Sequence, residues 1–268
     1  GGTLGGSGTV SGSVTVSNGG TVSPGSSPGI LGAGRVTFAD GSNFDVEIND
    51  TIVGTEYDQL HVSGDEGFVG GGEVDLGNAT LRLTASHTPV FGDSFAFVQA
   101  LGQVLNTFSG LPEGSTVLFN SQPLEINYTG LFVTLTFDST PVINGTDAAD
   151  DFTVFEDDAG NIVLRRGSTT LMTTPLLSLT SLTINGGDGN DTLTVDYSAA
   201  GGFFDLPITF GGGSQSGTPG DSLIINDAPG TATIITHVFV NADAGSVDID
   251  GTIISYTSLE PVTDHLDA

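Results

Sequence analysis

The chain has 268 residues, 41 of them glycine, and carries 32 acidic side chains against 4 basic ones, for a net charge of −28 at pH 7. There is no lysine and no cysteine, and the only fixed cations are Arg35, Arg82, Arg165 and Arg166. So few cations exclude nucleic acid as a partner, because almost nothing neutralises phosphates, and the lack of cysteine excludes disulfides.

No stretch is long and apolar enough to span a bilayer, so membrane insertion is not expected. No signal-peptide pattern is present. The chain starts at Gly1, and its only methionine is Met172. A processed product, or a segment of a longer chain, is the expectation. Strong acidity suits a protein that stays soluble in salt or binds divalent cations. Together with the missing cysteine, it suggests a secreted or bacterial cell-surface location.

Residues 1–50 are small, polar and periodic. Thr9-Val-Ser-Gly-Ser-Val-Thr-Val-Ser-Asn-Gly-Gly alternates Val with Ser or Thr and then breaks at glycines. Short alternating strands between Gly and Pro turns predict stacked β-rungs or a sandwich. No convincing 3.6-residue period occurs, the nearest being residues 97–108, interrupted by Gly102. Almost no helix is expected.

Several pieces of this half carry a resemblance. They are Gly19-Gly-Thr-Val-Ser-Pro-Gly-Ser-Ser-Pro-Gly-Ile-Leu, Asp45-Val-Glu-Ile, Glu56-Tyr-Asp-Gln-Leu-His-Val-Ser-Gly, Gly92-Asp-Ser-Phe-Ala-Phe, Thr107-Phe-Ser-Gly-Leu-Pro-Glu-Gly-Ser and Ile126-Asn-Tyr-Thr-Gly. In order and spacing they resemble the passenger-associated repeat of bacterial autotransporter-type and other large surface β-helix proteins. The resemblance implies a parallel β-helix, cell-surface display or secretion, and no catalytic residues. In that family a Gly-Gly-Asp-Gly-Asn-Asp turn commonly follows Tyr-Thr-Gly. Here Gly130 runs directly into Leu131-Phe-Val-Thr-Leu-Thr-Phe.

Asp138-Ser-Thr-Pro-Val reads as a boundary, giving a β-solenoid module over 1–138 and a second β-rich module, solenoid or sandwich, over 139–268. In the second, Gly186 to Thr194 fits the Gly-Gly-x-Gly-x-Asp-x-apolar-x nonapeptide of RTX-type calcium-binding β-rolls. A looser copy, Asn144-Gly-Thr-Asp-Ala-Ala-Asp-Asp-Phe-Thr-Val, aligns without gaps to the stretch from Asn185. A third, broken copy runs from Phe210-Gly-Gly-Gly through an insertion to Asp221-Ser-Leu-Ile-Ile. The unequal spacing predicts an irregular solenoid or sandwich. Val247–Val262 closes the module with a Gly-Thr-x-Ile-x-Tyr-x-x-Leu-Glu-Pro ending.

Calcium is the candidate cofactor, since Ca²⁺ takes about six to eight hard oxygen ligands. The candidate ligands are Asp188, Asn190 and Asp191 in the good copy and Asp147, Asp150 and Asp151 in the looser one. The competing reading is that Asp150, Asp191 and Asp221 cap their turns by accepting backbone N–H bonds.

A carbohydrate-active β-helix enzyme is a third-rank reading. Such sites pair clustered acids with cations that stabilise developing charge. Here Glu56, Asp58, Glu66 and Glu73 are the densest acids outside the turns, and Asp58 reads as a turn acid. His61, His87, His237 and His265 are scattered, and His61 should face away from Leu60 and Val62. Asn49, Asn78, Asn127, Asn144 and Asn190 lie in glycosylation sequons.

The sequence therefore predicts a non-catalytic extracellular structural module: a stalk, fibre, sheath or spacer. Its expected partners are further copies, head to tail, or neighbouring modules of a longer chain. The alternative is an adhesin binding surface glycans or neighbouring cells.

Overall fold

The computed structural model describes residues 1–64, 71–215, 220–226, 234–259 and 262–265. Glu66, residues 216–219 of the third-copy insertion, the Glu-Pro at 260 and 261 and the last three residues lie outside the described residues. Among the described residues the chain is all β, with one 3-10 turn at Leu176–Ser178 and no α-helix. It divides into two compact units, Gly1–Asn120 with Leu124–Phe137, and Ser121–Pro123 with Asp138–Ala268.

In the first unit the chain alternates between two sheets. Its first pass is β1 (Thr3–Gly6) then β2 (Gly8–Val16), and its second is β3 (Thr21–Pro24) then β4 (Ile30–Phe38). The third is β5 (Asn43–Ile48) then β6 (Gln59–Val62) and β7 (Glu73–Asp75). The fourth is β8 (Thr80–Ala85) then β9 (Ser94–Ala100) and β10 (Gln103–Leu105). Pairing between passes is parallel, with registers such as Leu4↔Val22, Val22↔Phe44 and Phe44↔Leu81. The second sheet is extended by β11 (Thr116–Phe119), β12 (Gln122–Thr129) and β13 (Phe132–Phe137), with β13 antiparallel to both β9 and β12.

Register follows from the alternation, because a one-residue slip would turn each apolar row out to water. Leu4, Val22, Phe44 and Leu81 form one inward row, and Leu31, Leu60 and Val98 another. Phe44 stacks on Phe108 with ring centroids 5.9 Å apart, and each such buried side chain contributes about 1.5–3 kcal/mol. Outward positions form polar rows instead: Arg82 bonds Asp45 at 2.6 Å, and Glu73 holds Arg35 and Gln103. Tyr128-Thr-Gly-Leu-Phe, where the acidic turn common in the resembled family is missing, is a two-residue hairpin bend that pairs Thr129 with Phe132. Residues 97–108, the nearest approach to a helical period, form β9 and β10.

The second unit repeats the scheme. Its passes begin with β14 (Val142–Asn144) and β15 (Asp151–Glu156), the latter extended by the antiparallel β16 (Asn161–Arg166) and β17 (Thr169–Pro175). Next come β18 (Leu182–Gly189) and β19 (Thr192–Asp196), then β20 (Ile208–Gln215) and β21 (Ser222–Asn226). After β22 (Ile235–Phe239) and β23 (Gly245–Ile249), the last pass is β24 (Thr252–Thr257) and β25 (Val262–His265). One sheet runs β14-β18-β20-β24-β23-β22 and the other β17-β16-β15-β19-β21-β25, all pairs between passes being parallel. Inward rows Ile143–Ile184–Phe210–Tyr256 and Phe152–Leu193–Leu223 build its core.

Candidate functional site

The three related Gly-rich stretches of the second unit stack on one another. Asn144 lies opposite Asn185 and Asn185 opposite Gly211, while Asp151 lies opposite Thr192 and Thr192 opposite Ser222. Copies separated by tens of residues in sequence thus occupy adjacent passes. The first two lead round the corner from one sheet to the other, from Gly145 to Asp150 and from Gly186 to Asp191, and in the third Gly212 and Asp221 hold the equivalent places.

The three aspartates form a ladder. Asp191 Oδ1 accepts the Asp150 N–H at 2.7 Å, and Asp221 Oδ1 accepts the Asp191 N–H at 2.7 Å. Asp191 and Asp221 are both 0% exposed. Corner amides covered by the next pass lose access to water and need an acceptor from protein, and the carboxylate supplies a charge-assisted one.

The second carboxylate oxygens differ between corners. Asp150 Oδ2 accepts the Thr146 N–H at 2.6 Å and the Thr146 hydroxyl at 3.0 Å. Gly187 occupies the matching place in the next corner, at φ 106°, and brings no hydroxyl. Among the described residues the Oδ2 atoms of Asp191 and Asp221 have no hydrogen-bond partner. Burial pushes the Asp191 carboxyl above the usual aspartate range; the Asp150 N–H opposes this, and the charges of Asp221 and Asp150 add to it.

The corner glycines are dictated by this packing. A Cβ on Gly186 would collide with Asp191 Oδ2 and the Gly212 carbonyl, and one on Gly212 with Asp221 Oδ2 and the Ser258 carbonyl.

The six calcium candidates fall into different environments. Asp150 and Asp191 face protein N–H groups, with Arg166 Nε 3.6 Å from Asp150 Oδ1. Asp147, Asp151 and Asp188 are exposed, and Asn190 is half-buried. Counting on from the Asn144↔Asn185 pair brings Asp147 level with Asp188, and the Asn185 amide itself donates to Asn144 Oδ1 at 2.8 Å. Among the described residues no three His, Cys, Asp or Glu side chains converge as a metal cage. A hard cation at this corner would draw on the Asp147 and Asp188 carboxylates and turn carbonyls. Asp150 and Asp191 would join only by giving up their N–H bonds.

A fourth member of the set lies in the first unit. Asp58 is 3% exposed; its Oδ1 accepts the Gly29 N–H at 2.7 Å and its Oδ2 the Glu47 N–H at 2.9 Å. Ile30 pairs with Gln59, so Gly29 holds the place on the preceding pass that Asp58 holds on its own. This is the Asp191–Asp150 relation again, and the Gly-rich motif alone does not reveal it. A readable signal was present: Asp58-Gln-Leu-His-Val, Asp150-Asp-Phe-Thr-Val, Asp191-Thr-Leu-Thr-Val and Asp221-Ser-Leu-Ile-Ile share an acid two residues before a buried Leu or Phe.

Glu56, Glu73 and His87 are tied to local structure. Glu56 accepts the Ile52 N–H at 2.9 Å, and Glu73 pairs with Arg35. His87 Nε2 lies 2.8 Å from Asp93 Oδ2, and His61 sits half-buried between the fully buried Leu60 and Val62. No protein-family model and no curated protein sequence matches this chain.

Proposed function

We propose that the chain is an extracellular structural module of a cell-surface or secreted assembly, a stalk, fibre, sheath or spacer, built as two consecutive β-solenoid segments. The observation that carries this reading is the parallel in-register pairing of each pass with the last in both units, pinned by corner aspartates. Such stacking grows by adding passes along one axis, which suits a spacer. Calcium bound at the Asp147–Asp188 corner would offset carboxylate repulsion in a chain of net charge −28. Its partners are further copies, head to tail, or adjoining modules of a longer chain.

A second reading, a glycan-binding adhesin, draws support from one uncharged row. Thr183, Thr209 and Ser255 stand side by side on the outer face of the β14-β18-β20-β24 sheet.

Negative-stain electron microscopy with calcium and then with EGTA tests the proposal. Rods or filaments are the expected particles, with filaments shortening in EGTA. Irregular compact particles in both conditions refute the solenoid, and identical melting curves in calcium and EGTA refute the calcium part.

A further inference from the structure

Two uncharged apolar features stand out on this acidic chain. The first is a groove in the first unit. Among the described residues β8 is the last strand of one sheet and β11 the last of the other, and an open groove of ≈620 Å³ is lined from both. Leu81 and Leu83 of β8, Val117 and Leu118 of β11, and Leu111 form its apolar surface, and none of its lining residues is charged. Leu81, Leu83, Leu111 and Val117 pack against the core of the unit yet are only half-buried, and Leu118 is 36% exposed. Here the core reaches the surface, and an apolar cover would take further area from water.

The second feature is a knob in the second unit. The 3-10 turn Leu176–Ser178 leaves Leu177 100% exposed. The turn is pinned on both sides. The Leu176 N–H donates to the Gly160 carbonyl at 3.0 Å, the Leu179 N–H to the Leu176 carbonyl at 3.0 Å, and the Thr180 N–H to the Ser139 carbonyl at 2.7 Å. Leu176 and Leu179 pack against the core of their own unit. Leu177 is therefore presented on a fixed base, and at full exposure it fills no groove of its own chain. No charged side chain occurs between Arg166 and Asp188, so the sequence on either side of the knob is neutral as well.

Charge decides what the groove can take. With 32 acidic side chains against 4 basic ones, most of the surface repels a second copy. The knob and the groove bring no carboxylate of their own, so there two copies meet without like charges opposed. We propose that the β8–β11 groove receives Leu177 of a second copy. Unlike surfaces meet in this contact, so it is heterologous, and it repeats from copy to copy instead of closing on a pair. The inference rests on the head-to-tail self-association in the proposed function and names its contact.

The unlike partners give a direct test by complementation. Sedimentation at rising protein concentration should show dimers, trimers and longer species for the unmodified chain. Leu177→Asp and Leu118→Asp, both at exposed positions, should each weaken association by about tenfold or more, the loss of one buried leucine. Mixed in equal amounts, the two variants should form a 1:1 dimer and stop there, because one keeps the groove and the other the knob. Urea unfolding checks that each variant is folded; if Leu118→Asp is destabilised, Leu177→Asp carries the test alone. Three results overturn the proposal. One is an unmodified chain that stays monomeric at high concentration. Another is unchanged association in Leu177→Asp, which would leave head-to-tail assembly in place through a different surface. The third is a mixture of two folded variants that does not pair. Rod-shaped monomers in the microscope would keep the structural reading while removing this contact.

Discussion

Gly211 and Gly212 are neighbours on β20, and replacing each with alanine should give opposite results. Neither needs a left-handed backbone conformation, so a difference between them reports packing alone. A Cβ on Gly211 meets Asn185 Oδ1 at 3.5 Å and Thr257 Oγ1 at 3.6 Å, ordinary contacts on the outer face. Gly211→Ala should therefore be neutral or stabilising by about 0.4–1 kcal/mol, through the lower entropy of the unfolded chain. A Cβ on Gly212 collides with the Ser258 carbonyl and the Asp221 carboxylate, neither a flexible side-chain tip. Overpacking of this kind costs about 1–3 kcal/mol. Moving the Asp221 carboxylate also loosens its bond to the Asp191 N–H, a buried charge-assisted bond worth about 1.5–3 kcal/mol. Gly212→Ala should thus cost about 2.5–6 kcal/mol when the two are combined. Urea unfolding followed by circular dichroism measures both, and amide exchange at Asp191 localises the damage. Equal stability of the two variants, or unchanged Asp191 protection in Gly212→Ala, would refute the corner packing.

Two further predictions concern the first unit. Asp58→Ala leaves the Gly29 and Glu47 N–H groups without their acceptor and should destabilise this unit by about 2–5 kcal/mol, read by urea unfolding; a loss below about 0.5 kcal/mol, the usual range for surface changes, would show that water replaces the carboxylate. Burial pushes the Tyr128 phenol from 10.0 up to about 12; the N–H of Phe108, bonded to its oxygen, opposes the rise, and the charge of Glu113 adds to it. A raised folded value means that the linked stability is fully present below pH 10.0 and is lost as pH climbs toward about 12. Phenolate absorbance should show this late titration in the native protein and its loss in Tyr128→Phe; no difference between the two titration curves would contradict the burial.

Much of this architecture could be read from the sequence, for definite physical reasons. Alternation with period two located the strands, because inward rows must be apolar and outward rows tolerate Ser, Thr and charge. The gapless alignment of Asn144 with Asn185 proved to be the structural register, since equivalent corners stack. What alternation cannot encode is the direction of pairing. Gly245–Ile249 alternates as the parallel strands do, yet it lies antiparallel to both of its neighbours. The candidate site was legible as residue types and not as orientation. Asp188 and Asp191 are three residues apart in one motif, but one points to solvent and the other is fully buried. An N–H on the preceding pass sets that difference, and no local pattern carries it.

The corner aspartates and the antiparallel hairpins answer one physical demand at two places. Stacking passes removes water from corner amides and strand edges alike, and every N–H so covered must find an oxygen. Along the stack, Asp58, Asp191 and Asp221, each standing just before a second-sheet strand, reach back one pass to the N–H groups of Gly29, Asp150 and Asp191. On the outermost described passes an antiparallel strand lies over the edge instead, as β13 does on β9, β16 on β15 and β23 on β24. Asp150 marks the transition: it heads the ladder, and Arg166 of the capping strand β16, not a preceding amide, approaches its Oδ1.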